Sequence, residues 1–209
     1  MRNNISISGA KGSGKSYLAK QILTKGNYVT LSFASGLKTL LADILGEHNN
    51  HRQLYEALYG QNKGNSYLFT RNISHNLVEF HLGLETSNKL LKWMEANIPD
   101  VATGRQLLQG IGTDFFRDQV SETYWVDRMA ANIAKIPPHQ RIVVDDTRFL
   151  DEFKLLETLG FTMVCVVDPT QLEYDSHKSE QSINPNKFSY IIKNDKKPET
   201  IINFVEKYL

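Results

Sequence analysis

The stretch Gly9-Ala10-Lys11-Gly12-Ser13-Gly14-Lys15-Ser16 constrains this chain more than any other. Its spacing is G-x-x-x-x-G-K-[ST], a pattern whose backbone amides cradle phosphates when a strand precedes it and a helix follows. Both neighbours are readable. Ile5-Ser6-Ile7-Ser8 is a short β-rich run, and Tyr17 to Leu23 has helical spacing. A strand-to-helix turn of this kind aims successive N–H groups and the positive end of the helix dipole at one point. Gly9, Gly12 and Gly14 let the backbone approach closely and take positive φ, where a Cβ would clash. Lys11 and Ser13 complete the cradle. Lys15 is expected to reach the β/γ-phosphates, and the Ser16 hydroxyl to hold Mg²⁺.

At 209 residues the chain has room for one α/β domain with an insertion. A net charge of +1 gives no global field that would recruit nucleic acid or an anionic membrane. The lone Cys165 lies in an apolar run and has no partner for an internal disulfide, so it reads as a core residue in a reducing compartment. The polar start enters a strand almost at once, and no apolar run approaches transmembrane length. The expectation is a cytoplasmic protein with no signal peptide and no membrane partner.

Beyond the first helix, Tyr28 to Phe33 alternates as a second strand, and Ala34-Ser35-Gly36 is expected to break it before a helix over Leu37 to Leu45. From Gln53 to Asn97 the signals are helix or loop, with no convincing strand. Further helices are expected over Arg105–Gln119, with Leu107, Leu108 and Ile111 inward, and over Tyr124–Ala134, before Pro137-Pro138. Arg141 to Asp146 reads as a strand buried on both faces, followed by a helix over Leu150–Leu159, a strand over Phe161–Val167, a strand over Phe188–Ile192 and a closing helix from Pro198. Strands alternating with helices imply a three-layer α/β/α sandwich on a five-stranded parallel sheet. The division expected is a core of residues 1–36 and 139–209, a helical insertion over 37–138, and a lid-like loop over 168–187. The insertion has enough apolar residues for either an intrachain core or a homodimer contact.

Three constellations narrow the chemistry. Asp145-Asp146-Thr147-Arg148 ends a strand, where a carboxylate can hold a Mg²⁺ shell or orient an attacking oxygen. Either Asp suits that role, and the other can cap a helix. Arg148 can clamp a phosphate bidentately. Arg105 and Gln109 are spaced i, i+4 on one helix face, a guanidinium for a phosphate and an amide for a base edge. His177, Lys178, Ser179 and Glu180 lie in the lid-like loop, suited to excluding water from a transferring group.

These segments together resemble the phage deoxynucleoside monophosphate kinases and the related animal phosphomevalonate kinases, which share the nucleoside-monophosphate-kinase fold. The resemblance runs through the phosphate loop, Phe33-Ala34-Ser35-Gly36-Leu37-Lys38, Arg105 to Gln109 with Gly112-Thr113-Asp114, Trp125, Asp146 to Phe149 with Glu152, Ser179-Glu180, and Phe188 to Asn194. It implies transfer of the ATP γ-phosphoryl to a (deoxy)nucleoside monophosphate, with ATP and Mg²⁺ as cofactors and, for a phage gene, the host cytoplasm as the setting. Lys15, Asp146 and Arg148 would be catalytic, with Ser16 and Asp146 toward the metal. Lys38, Arg105, Gln109, Trp125 and Arg148 would serve the acceptor, and Asn194 would stand beside the adenine of ATP. Gly36 replaces the family's usual Pro, which implies a more flexible loop. The lid is poor in arginine, leaving Lys178, Arg71 or Arg117 to neutralise the transferring group. A phosphomevalonate-like acceptor, and an ATP-binding module that switches a partner, are the other readings.

Overall fold

A computed structural model describes residues 3–46, 49–60, 64–68, 73–170 and 185–209. In chain order its elements begin with β1 (Ile5–Ser8), α1 (Lys15–Leu23), β2 (Tyr28–Leu31), α2 (Phe33–Gly46) and α3 (His51–Tyr59). There follow β3 (Ser66–Leu68), α4 (His75–Leu82), α5 (Leu84–Asn97), β4 (Val101–Thr103), α6 (Gly104–Gln109) and a π-helix over Gly110–Val120. The chain ends with α7 (Tyr124–Lys135), β5 (Arg141–Val144), α8 (Leu150–Thr158), β6 (Thr162–Val167), β7 (Tyr190–Lys193) and α9 (Pro198–Tyr208). These form two compact units, Met1–Phe33 with Val126–Leu209, and Ala34–Trp125.

The first unit is built on a five-stranded sheet in the order β2-β5-β1-β6-β7, with every pair parallel. Ile5 and Ile7 of β1, Val143 of β5 and Val164 and Val166 of β6 pack with Leu18 and Ile22 of α1 and Ile201 and Val205 of α9. Successive side chains of a strand alternate in direction, so Met163 and Cys165 point to the opposite face. Both are buried, and the sheet is therefore covered on its two sides. This is the three-layer α/β/α arrangement expected. Burial pushes the Cys165 thiol up from its ordinary value, as befits a core residue.

The second unit is helical around an aromatic centre. Trp93 of α5 meets Phe115 at a ring separation of 5.7 Å, and Phe116 contacts Phe115, Tyr124 and Trp125 at 5.1, 4.5 and 5.1 Å. Close packing of α3 on α6 depends on Gly104, where a Cβ would collide with the Ala57 carbonyl.

The structure corrects several expectations. β2 stops at Leu31 and α2 opens at Phe33, so Ala34-Ser35-Gly36 forms the first helical turn instead of a break, and Gly36 is not in a flexible loop. The cause is non-local: Asp146 Oδ1 accepts the Phe33 N–H at 2.9 Å. The insertion is not all helix, because β3 and β4 pair antiparallel with Ser66 opposite Thr103. Strands this short are too brief to show an alternating pattern. Arg105–Gln119 is not one α-helix either, since the π-helix takes over at Gly110. Leu107 and Ile111 are buried there as expected, and Leu108 only partly. The helical unit itself runs from Ala34 to Trp125, and Val126 onward groups with the first unit.

Candidate active site

Parallel strands present all their C-terminal ends along one sheet edge, and a site forms where neighbouring connections diverge. β1 lies between β5 and β6. Its exit loop therefore emerges beside the ends of those strands.

That loop is the Gly9–Ser16 stretch. Gly9, Gly12 and Gly14 have φ of 145°, 77° and 106°, conformations that side-chain-bearing residues avoid. A Cβ at Gly9 would strike the Val166 carbonyl, and one at Gly14 would strike the Asn194 amide. Gly14 is also the N-cap of α1, its carbonyl accepting the Tyr17 and Leu18 N–H groups at 3.1 and 3.0 Å. α1 has no side-chain cap and no acidic residue in its first turn, so its own sequence does not neutralise the positive dipole end. Lys15 Nζ donates to the Gly9 and Ala10 carbonyls at 2.6 and 2.7 Å, spanning the loop. The Ser13 hydroxyl is buried and, among the described side chains, is the one buried polar atom without a hydrogen-bond partner. A cradle that no Cβ can enter, an uncapped helix start, a lysine across the mouth and an exposed Ser16 fit a polyphosphate with its metal.

The tip after β5 is tied to β1. Thr147 is buried, its hydroxyl 2.9 Å from that of Ser6, and its carbonyl accepts from Ser8 Oγ at 2.9 Å. Asp146 accepts from Ser32 Oγ at 2.6 Å through its other oxygen, so the capping alternative holds for α2 instead of the helix that follows the tip. The backbone of Arg148 is set by Glu152, a buried carboxylate that takes the N–H groups of Arg148 and Phe149 at 2.8 and 3.1 Å.

Two further strand ends reach the loop. Asn194, after β7, donates its amide to the Ser13 carbonyl at 2.7 Å and accepts the Lys196 N–H at 3.0 Å. Its amide thus holds the phosphate loop, an engagement different from the adenine contact implied by the family resemblance. Lys196 Nζ donates to the Gly12 carbonyl at 3.0 Å and pairs with Asp168 Oδ2 at 2.6 Å. Lys196, followed by Thr170 N and Oγ1 at 2.9 and 2.7 Å, holds the Asp168 carboxyl down at about 2. Sequence reasoning missed Asp168 and Lys196. The available signal was their position: each follows a parallel strand, as the Asp-Thr-Arg tip does.

In the helical unit, Thr103 and Gln106 form a reciprocal cap, with bonds of 3.0 and 2.8 Å, that fixes the first turn of α6. Arg105 and Gln109 sit one turn apart on that helix, both half-buried. Lys38 Nζ stands 5.5 Å from the centre of the Tyr59 ring. Arg117 is buried in the π-helix and donates to the Glu122 carbonyl at 3.2 Å. Trp125 is buried too, its indole N–H donating to the Gly112 carbonyl at 2.8 Å. Arg71 and the lid residues His177, Lys178, Ser179 and Glu180 lie outside the described residues. Among the described residues there is no cluster of three His, Cys, Asp or Glu suited to a metal, and no helix long and apolar enough to cross a membrane.

Comparison with known proteins supplies the family. The chain is 30% identical over 115 residues to the deoxynucleotide monophosphate kinase of Escherichia phage RB69, an alignment covering 54% of this chain and 47% of that protein. The deoxynucleotide monophosphate kinase of Enterobacteria phage T4 is 29% identical over 115 residues, 54% of this chain and 48% of its own length. The chain thus spans about half the length of these two relatives. A putative deoxynucleotide monophosphate kinase of Acanthamoeba polyphaga mimivirus is 23% identical over 208 residues, covering 92% of this chain and 88% of that one. The deoxynucleotide monophosphate kinase family profile matches residues 59–205, a stretch that begins well after the phosphate loop. Loop geometry and family match are therefore separate lines of support, and by the second of them the chain belongs to the deoxynucleotide monophosphate kinase family.

Proposed function

We propose that the chain transfers the γ-phosphoryl group of ATP to a (deoxy)nucleoside monophosphate, giving ADP and the corresponding diphosphate. An acceptor phosphate oxygen forms the new P–O bond while the bond from the γ-phosphorus to the ADP oxygen breaks. The observation that carries this reading is the Gly9–Ser16 cradle, a phosphate-binding geometry outside the segment that matches the family. A family match alone would leave the donor unnamed. A cradle alone would leave the acceptor unnamed.

Such a transfer asks for positioning and charge neutralisation, with no covalent intermediate on the protein. The loop amides and Lys15 would hold the β- and γ-phosphates of ATP. Ser16 would hold Mg²⁺, and Asp146, whose carboxylate accepts from Ser32 Oγ and the Phe33 N–H, would face that ion. Bound magnesium supplies charge screening on the phosphates. Arg148, its backbone set by Glu152, would clamp a phosphate. On the helical unit Arg105 would take the acceptor's phosphate and Gln109 a base edge, with Lys38 adding positive charge. For a phage gene the setting would be the host cytoplasm, with small-molecule substrates and neither nucleic acid nor membrane as partner.

The test is ADP release from ATP and Mg²⁺ with each of the eight common (deoxy)monophosphates, and with phosphomevalonate. At least one monophosphate should stimulate turnover strongly. Stimulation by phosphomevalonate alone, or by none, would reject the reading. In the same assay Arg105→Ala should raise the acceptor KM on the order of tenfold or more while the KM for ATP stays put.

A further inference from the structure

The phosphate loop is gripped from behind at two consecutive carbonyls by residues outside the family's phosphate-binding pattern. The Lys196 ammonium donates to the Gly12 carbonyl at 3.0 Å, and the Asn194 amide donates to the Ser13 carbonyl at 2.7 Å. Neither donor stands alone. Asp168, with its side chain 4% exposed, fixes the ammonium from the end of β6, and the Asn194 carbonyl oxygen receives the Lys196 backbone N–H at 3.0 Å. Asn194 itself is anchored where its N–H meets the Val167 carbonyl at 2.8 Å. The network therefore joins the ends of β6 and β7 to the loop that leaves β1.

Two physical facts give the network a consequence. A peptide unit is planar, with its C=O and N–H opposed, so fixing the Gly12 and Ser13 carbonyls fixes the direction of the Gly14 N–H and of the Ser13 N–H, which closes the loop's own turn on the Ala10 carbonyl at 3.2 Å. A carbonyl that accepts from a cation is also held more tightly than by a neutral donor. The backbone adds an independent sign. Lys196 has φ of 67°, a left-handed conformation that strains a residue with a Cβ and that glycine adopts freely. A lysine persists at a position whose backbone favours glycine.

We propose that Lys196, oriented by Asp168, is a positioning residue for nucleotide binding: by holding the Gly12 carbonyl beside the Asn194 grip on Ser13, it presets the peptide planes of the phosphate loop. This inference rests on the reading of that loop as the ATP site. Lys196 acts on the loop and not on the reacting atoms. Its loss weakens ATP binding, leaves acceptor binding untouched and changes turnover less than affinity.

The experiment compares Lys196→Met, Lys196→Arg, Lys196→Gly and Asp168→Asn in the full chain. ATP affinity is measured by calorimetry, and steady-state constants are measured for both substrates. Lys196→Met should weaken ATP binding about tenfold, with a matching rise in the KM for ATP and an unchanged acceptor KM. Lys196→Arg should restore affinity to within a few-fold, and Asp168→Asn should fall between. Lys196→Gly decides the matter if Met disturbs folding, because it relieves the left-handed backbone while removing the ammonium. It should keep a cooperative thermal transition and still bind ATP as weakly as Lys196→Met. Parental ATP affinity in Lys196→Gly would overturn the inference and leave the ATP-site reading standing. Failure of the unaltered chain to bind ATP would instead remove the reading on which the inference depends.

Discussion

Lys15 donates to two carbonyls of the loop it follows, so its ammonium is already committed to the cradle's mouth. A cation in that position is worth most when phosphate charge shifts during transfer, because preorganised charge needs no reorientation. Lys15→Ala should reduce kcat on the order of 10²–10³-fold and leave the far-ultraviolet circular dichroism unchanged. A variant with near-parental turnover would remove Lys15 from the mechanism. At this scale the sequence was generous for the loop, because glycines with positive φ and a lysine at fixed spacing form a local pattern. It was silent on Asp168 and Lys196. Lys196 reaches Gly12, far away in the chain, and no short window contains all three.

Among elements, the strands with continuous buried runs were legible and the marginal ones were not. β1, β5 and β6 carry continuous buried runs, which burial on both faces of a parallel sheet requires. β3 and β4 have three residues each, and the wide turns of the π-helix leave no separate sequence period. The start of α2 escaped for another reason: its acceptor is Asp146, supplied by the tip of β5. That dual position makes a separable prediction. Asp146→Asn should keep an acceptor for the Phe33 N–H and the thermal midpoint, but lose most Mg²⁺-dependent turnover. Asp146→Ala should lose both, with stability down by about 1 kcal/mol in chemical denaturation. A turnover loss in Ala but not in Asn would make Asp146 a capping residue only. The contact of α3 with α6 is equally specific. Gly104→Ala would press a methyl group into the Ala57 carbonyl and should destabilise the chain by roughly 1–3 kcal/mol in urea, raising the acceptor KM through Arg105.

For the molecule as a whole, acid is the informative stress. Asp168 lies below its ordinary value of 3.8, at about 2, and Asp195 is lowered by Thr200 and the Lys197 N–H. A depressed carboxyl contributes stability that is fully present above its unfolded value and disappears as pH falls through its folded value. The Asp168 contribution should thus be constant from neutral pH to about 5, and fade between roughly 4 and 2. Urea midpoints measured at pH 6, 4 and 2.5 should drop more for the parent chain than for Asp168→Asn. Equal slopes would show that this pair does not contribute to acid resistance.

The solitary hydroxyl of Ser13 carries one more implication. Removing a buried hydroxyl that meets no protein partner costs no hydrogen bond within the chain: Ser13→Ala is expected to hold the parental Tm by calorimetry, while ATP affinity declines a few-fold. Heat resistance and nucleotide affinity would then part company at a single side chain.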